Sequence, residues 1–218
     1  MTNVDGDGND DVDTDADINV DADADAIARA ADAVRRGDLV VYPTETVYGL
    51  GADALDPDAV ARVFELKGRA REKPLSLAVP DVAAALAYTE PSPRERRFLR
   101  AFLPGPVTVV LEAHEQVPGV LTAGRERVGI RVPDHPLARA LLRRVAPLTA
   151  TSANRSGNPS ARRVAEVDPA VRDGSTVLDG GETSGKESTV VDVSTETIHR
   201  RGARAAAVAA WLADEEGR

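Results

Sequence analysis

Cysteine is absent from the 218 residues, which excludes disulfides, thiol nucleophiles and thiolate metal sites. Histidine is scarce. His114, His135 and His199 lie far apart in the chain, without the spacing of metal ligands, so no zinc centre is expected. Lysine occurs only at 67, 73 and 186, and nearly all positive charge is arginine. No apolar run approaches the roughly 20 residues that span a bilayer. The N-terminus lacks the basic and apolar regions of a secretory signal. These absences predict a cytoplasmic protein without a membrane partner.

What is present divides unevenly along the chain. The net charge of −9 is concentrated at one end, because residues 1–25 hold ten Asp and no Lys or Arg. Without them the chain has 26 acids against 27 bases, close to neutral. An Asp-, Gly- and Asn-rich segment with so little apolar content cannot bury a core. Residues 1–23 are therefore expected to be a disordered acidic tail. Residues 24–213 read as one domain and 214–218 as a frayed end.

Within that domain, strands and helices alternate. Ala26 to Arg36 has a helical apolar stripe closed by Gly37, and Leu39-Val40-Val41-Tyr42 is a β-branched run that reads as a buried strand ended by Pro43. Asp56-Pro57 opens a second helix that ends at Gly68. Strands are predicted over 75–79, 107–112, 128–132, 147–150, 188–193 and 197–200. Helices are predicted over 81–88, 91–103, 136–145, 203–213 and from Ser160 to Val167. This pattern predicts a layered α/β fold.

Several stretches carry more chemistry than turns require. Thr44-Glu45-Thr46 follows a strand end directly, where ligands bind in open α/β sheets, and Gly49 and Gly51 read as a tight loop. Lys67-Gly68-Arg69-Ala70-Arg71-Glu72-Lys73 concentrates four bases behind a helix C-terminus. The helix dipole repels anions there, so a phosphate would be held by side chains. Capping of the helix end accounts equally well for Lys67. Arg131 lies in an apolar strand and needs a partner, either a protein carboxylate or a ligand phosphate. Thr151-Ser152-Ala153-Asn154 repeats the hydroxyl- and amide-rich pattern after a strand. Gly180 to Glu187 has the spacing of a phosphate-binding P-loop. Glu187 replaces the required Ser or Thr, and a strand follows where a helix must, so the P-loop is rejected.

Taken together, Tyr42-Pro43-Thr44-Glu45-Thr46-Val47-Tyr48-Gly49-Leu50-Gly51, Lys67-Gly68-Arg69, Pro104-Gly105-Pro106-Val107-Thr108, Ser152-Ala153-Asn154 and Glu187-Ser188-Thr189-Val190-Val191-Asp192 resemble, in order and spacing, the YrdC-like threonylcarbamoyl-AMP synthases in their short, single-domain form. The resemblance implies a three-layer α/β fold, a twisted mixed sheet flanked by helices around a deep cleft. It implies a nucleotidyltransferase that makes threonylcarbamoyl-adenylate and pyrophosphate from L-threonine, bicarbonate or CO2, and ATP. A tRNA threonylcarbamoyl transferase complex would consume the product, with at most weak contact between this chain and tRNA. Magnesium is implied with ATP, without a nameable protein ligand. By position, Lys67, Arg69, Ser152 and Asn154 would be catalytic. Arg69, Lys73, Asn154 and Arg200 would hold ATP, and Thr46, Arg131, Ser152 and Ser188 would hold threonine. Some relatives carry a threonine-contacting His where this chain has Ala78.

Two alternatives stand beside this reading. An RNA-binding or ribosome-maturation module of the same fold would use the arginines of 94–100 and 162–163, although a near-neutral domain lacks the positive field RNA binding needs. A paralogue would keep the nucleotide chemistry and use another acceptor.

Overall fold

The computed structural model describes residue 20 and residues 23–214. The expected tail over 1–23 lies outside the described residues apart from Val20 and Asp23, as does the end beyond Asp214.

Helix α1 (Ala24–Arg35) buries Ile27, Ala30, Ala31 and Val34 on one stripe and turns through Gly37 into β1 (Leu39–Tyr42). The next strand, β2 (Gly49–Gly51), pairs antiparallel with β1. The expected glycine loop is thus a hairpin arm. Its glycines suit the packing: a Cβ at Gly49 or Gly51 would come within 3.1 or 3.0 Å of the Tyr42 ring, which would have to give way by a few tenths of an ångström. Helix α2 (Pro57–Lys67) starts as the sequence indicates, with the Asp56 carboxylate accepting from the Asp58 amide. It ends at Gly68, whose φ of 56° is the left-handed C-cap that favours glycine.

There follow β3 (Ser76–Ala78), the short α3 (Val82–Ala85), α4 (Pro93–Phe102) with a Ser92–Glu95 capping box, β4 (Val107–Glu112) and the short α5 (Gly119–Thr122). Next come β5 (Arg127–Arg131), α6 (Pro136–Val145), β6 (Leu148–Ser152), α7 (Pro169–Asp173), β7 (Ser175–Val177), β8 (Thr189–Asp192), β9 (Thr197–Arg200) and α8 (Ala205–Ala213). The helix expected from Ser160 to Val167 is replaced by a 3-10 turn at Val164–Glu166. Ser160 does not cap it, because its hydroxyl donates instead to Glu187 Oε1 at 2.5 Å. Residues 180–187 contain no helix, in keeping with rejection of the P-loop.

The nine strands form one mixed sheet in the order β7-β1-β2-β6-β3-β5-β4-β8-β9, so the expected α/β architecture is observed. Strand alternation assigns its two faces. Leu39, Val41, Leu77, Val107, Val109, Ile130 and Val191 point into a large core shared with α2, α4 and α8. On the opposite face, Val40, Tyr42, Ala78 and Leu148 pack with α1 and α6 in a smaller core. These two helices cover only the β1–β3 side of that face. Beyond them, Ser76 of β3, Gly129 and Arg131 of β5, Thr108 and Val110 of β4, and Val190 and Asp192 of β8 form the floor of an open cavity.

Candidate active site

The cavity has a volume of about 910 Å³, within the range of small-molecule sites. Its first wall is the turn after β1. Thr44 donates its hydroxyl proton to the Val47 carbonyl at 2.7 Å and accepts from the amides of Thr46 and Val47, each at 3.2 Å. This side-chain turn fixes the loop. Thr44 Oγ also lies 2.8 Å from Thr46 Oγ, a contact either hydroxyl can donate.

Arg131 crosses beneath this turn. Nη2 donates to Glu45 Oε1 at 2.7 Å and, more weakly, to Thr46 Oγ at 3.4 Å. Nη1 donates to the carbonyls of Gly105 and Val107. Burial lowers the Arg131 pKa, and the Glu45 carboxylate opposes that shift. Of the two partners open to Arg131 from the sequence, the structure supplies the protein carboxylate. The guanidinium still lines the cavity.

The second wall is the basic loop behind α2. Arg69 donates through Nε to Lys73 O at 3.0 Å and through Nη2 to Pro74 O at 2.9 Å. These bonds pin the half-buried guanidinium at the cavity, with Lys73 beside it. Burial first, and then the positive charge of Arg200, lower the Arg69 pKa. A cation depressed by a like charge beside it marks a site that an anion would relieve.

Arg200 enters from edge strand β9. It donates through Nε to Ser188 O at 3.0 Å and through Nη2 to Ser188 Oγ at 2.9 Å, and its Nη1 pairs with Glu187 Oε2 at 2.9 Å. Ser188 Oγ also lies 3.1 Å from Thr108 Oγ. Ser152, at the end of β6, completes the set. A strap over 184–185 is tied across the Thr44–Thr46 turn: Ser184 Oγ donates to Glu45 O and the Gly185 amide to Thr46 O, both at 2.7 Å.

Of the residues singled out from the sequence, Thr46, Arg69, Lys73, Arg131, Ser152, Ser188 and Arg200 line this one cavity. Lys67 and Asn154 do not. Lys67 is 2 % exposed, and its ammonium donates to the backbone carbonyls of Ser152 and Asn154. Burial, and secondly Arg69, lower its pKa to about 8. Asn154 Nδ2 donates to Pro159 O at 2.6 Å and Glu166 O at 3.2 Å, and Oδ1 accepts from the Asp168 amide at 2.7 Å. It staples the loop that follows β6. Ala78 is packed under α6; its place at the cavity is taken by Ser76, two residues earlier on the same face.

Sequence reading missed Glu45 as the partner of Arg131, and Thr108, Gly129 and Asp192 as floor residues. The signal was there in β4, Val107-Thr108-Val109-Val110-Leu111, where one polar residue interrupts an apolar run on alternate positions. Among the described residues, no group of three or more His, Asp or Glu gathers to hold a metal ion.

The profile of the Sua5/YciO/YrdC family, described as "Telomere recombination", matches residues 32–202. Threonylcarbamoyl-AMP synthase of Pyrococcus abyssi is 44 % identical over 171 residues, which cover 76 % of this chain and 50 % of that protein. The Vibrio parahaemolyticus protein of the same name is 34 % identical over 177 residues, covering 78 % of this chain and 96 % of that one. The crystal structure of P. abyssi Sua5 complexed with L-threonine superposes with a TM-score of 0.74 at 40 % identity, covering 81 % of this chain and 54 % of that one. The chain thus spans about half the length of the archaeal relative and nearly all of the bacterial one.

Proposed function

The chain belongs to the Sua5/YciO/YrdC family, and we propose that it makes threonylcarbamoyl-AMP and pyrophosphate from L-threonine, bicarbonate or CO2, and ATP. The observation that carries this reading is the convergence of Arg69, Lys73, Arg131 and Arg200 on one cavity with the hydroxyls of Thr46, Ser152 and Ser188. The cations suit a triphosphate and an amino-acid carboxylate. The Thr46 hydroxyl suits the polar groups of an amino acid.

The amino group of threonine adds to CO2, losing a proton, and forms a carbamate. A carbamate oxygen attacks the α-phosphorus of ATP, the bond to the β-phosphate breaks, and pyrophosphate leaves. Charge neutralisation and alignment supply the catalysis, which fits a cavity with no cysteine. Arg69, facing Arg200, would take the developing charge on the phosphates. Arg131, held by Glu45, would orient the threonine carboxylate. Among the described residues the acids that line the cavity, Glu72, Glu126, Glu187 and Asp192, do not gather into a group that could hold a metal ion, and Glu187 and Asp192 are paired with Arg200 and Arg127. Magnesium would enter as part of the MgATP substrate.

The adenylate would pass to a tRNA threonylcarbamoyl transferase complex. Among the described residues no helix is long and apolar enough to cross a membrane. A role as an RNA-binding module has less support. Arg94 pairs with Glu196, and Arg162 and Arg163 pair with Glu182, so these side chains have intramolecular partners. The test is pyrophosphate release from ATP. Release that requires both L-threonine and bicarbonate is the expected result. Release with another amino acid in place of threonine would point to the paralogue, and no release from folded protein would overturn the proposal.

A further inference from the structure

We infer that Lys67 is a positioning residue that couples the two halves of the site, and that it does not bind phosphate. The inference rests on the reading of the cavity as the ATP and threonine site. Four observations carry it. Lys67 is buried and absent from the cavity wall. Its ammonium is bound by two backbone carbonyls of the Ser152–Asn154 segment. Its own carbonyl accepts from the Ser156 amide at 2.9 Å. The next residue, Gly68, takes the left-handed turn that swings Arg69 into the cavity.

Backbone and side chain of one residue thus grip the end of β6 from the end of α2. Arg69 lies two residues past this joint on one strand of chain, and Ser152 is one of the groups gripped on the other. The distance between the cation and the hydroxyl across the cavity is set by Lys67. A lysine suits this task because its compact ammonium has three donors and can satisfy two converging carbonyls. In the Lys-x-Arg and Ser-x-Asn pairs, the roles divide accordingly. Arg69 and Ser152 face the ligand, while Lys67 and Asn154 hold the backbone.

The experiment compares wild type with Lys67→Met and Lys67→Arg by amide hydrogen exchange of the ligand-free protein and by calorimetric titration with ATP and, separately, with L-threonine. Lys67→Met should raise exchange at 152–156 by about tenfold or more, with the rest of the sheet unchanged. It should weaken ATP and threonine binding by similar factors. Lys67→Arg, which keeps the charge but not the compact geometry, should restore neither. Unchanged exchange at 152–156 would overturn the inference. So would loss of ATP binding alone, or its rescue by arginine, because a phosphate ligand acts through charge. If wild type binds neither ATP nor threonine, the functional proposal above fails, whereas the exchange comparison still decides whether Lys67 is the joint. A Lys67→Met protein too unstable to titrate is replaced by Asn154→Asp. That variant should loosen 155–168 and weaken both ligands together; selective loss of ATP binding would again overturn the inference.

Discussion

One face of the sheet is half covered and half open, and the same strands build both halves. β3 crosses the boundary: Ala78 is packed under α6, while Ser76, on the same face, lines the cavity. In the covered half the side chains on this face, Val40, Tyr42 and Leu148, are apolar and meet Ile27, Leu137 and Leu141 of α1 and α6. In the open half they are Thr108, Arg131 and Asp192, which line the cavity. Strand periodicity decides which face a residue occupies. Whether that face becomes core or site depends on where two helices stop. The opposite face shows no such division and is mostly apolar, with Thr149 and Thr189 buried among its hydrophobic side chains.

The sharpest way to break the comparison is to remove a charge from the open half. Arg69→Ala should lower pyrophosphate release by about 100-fold or more, the scale of losing one preorganised electrostatic group, and leave the melting temperature nearly unchanged. Glu45→Ala should behave differently, because Arg131 is 5 % exposed and would lose its carboxylate. Breaking a buried pair costs about 3–5 kcal/mol, so urea denaturation should show a large loss of stability along with weaker threonine binding. The covered half should respond only in stability. Leu141→Ala deletes a fully buried side chain between α6 and the sheet and should cost about 2–5 kcal/mol, with the KM values of the surviving folded enzyme unchanged.

A smaller effect separates the joint from both halves. The Lys67 pKa falls from 10.5 to about 8 in the folded chain, so between those values the unfolded chain holds the more protons. Stability must then rise with pH across that window, by up to on the order of 3 kcal/mol, and the penalty is fully present below pH 8. Urea melts at pH 7.5, 8.5 and 9.5 should show this rise in wild type and lack it in Lys67→Met. The smallest effect belongs to Arg163, an exposed partner of Glu182. Arg163→Ala should change neither melting temperature nor turnover measurably, as exposed ion pairs contribute little.

Much of the fold was legible in the chain. The bounds of β1 and β4 follow from apolar runs closed by Pro, Gly or polar residues, α6 from its helical apolar stripe after Pro136, and α2 from its Asp-Pro start and Gly end. β2 was not legible, since Gly-Leu-Gly has no alternation to read and its pairing depends on the Tyr42 ring lying over the glycines. The segment after Ser160 had helical composition, yet the Asn154 side chain takes the Glu166 carbonyl and the Asp168 amide. Long-range hydrogen bonds there outweighed local propensity. For the site, seven of the residues named from the sequence line the cavity. The Lys67 and Asn154 side chains proved to face backbone, which residue type could not show, because an ammonium or amide serves a ligand or a carbonyl equally well.

By itself the sequence determined the α/β class, the strand and helix faces, the absence of thiol chemistry, and the family with its charged motifs. These depend on local periodicity and on residue chemistry, which are properties of short stretches. Only the tertiary structure decided which carboxylate satisfies Arg131, which cations confront one another, and which motif residues reach the cavity. Those outcomes depend on distances between segments as far apart as Glu45 and Arg131, or Lys67 and Ser152, and such distances exist only once the sheet has assembled and two helices have left half of its face open.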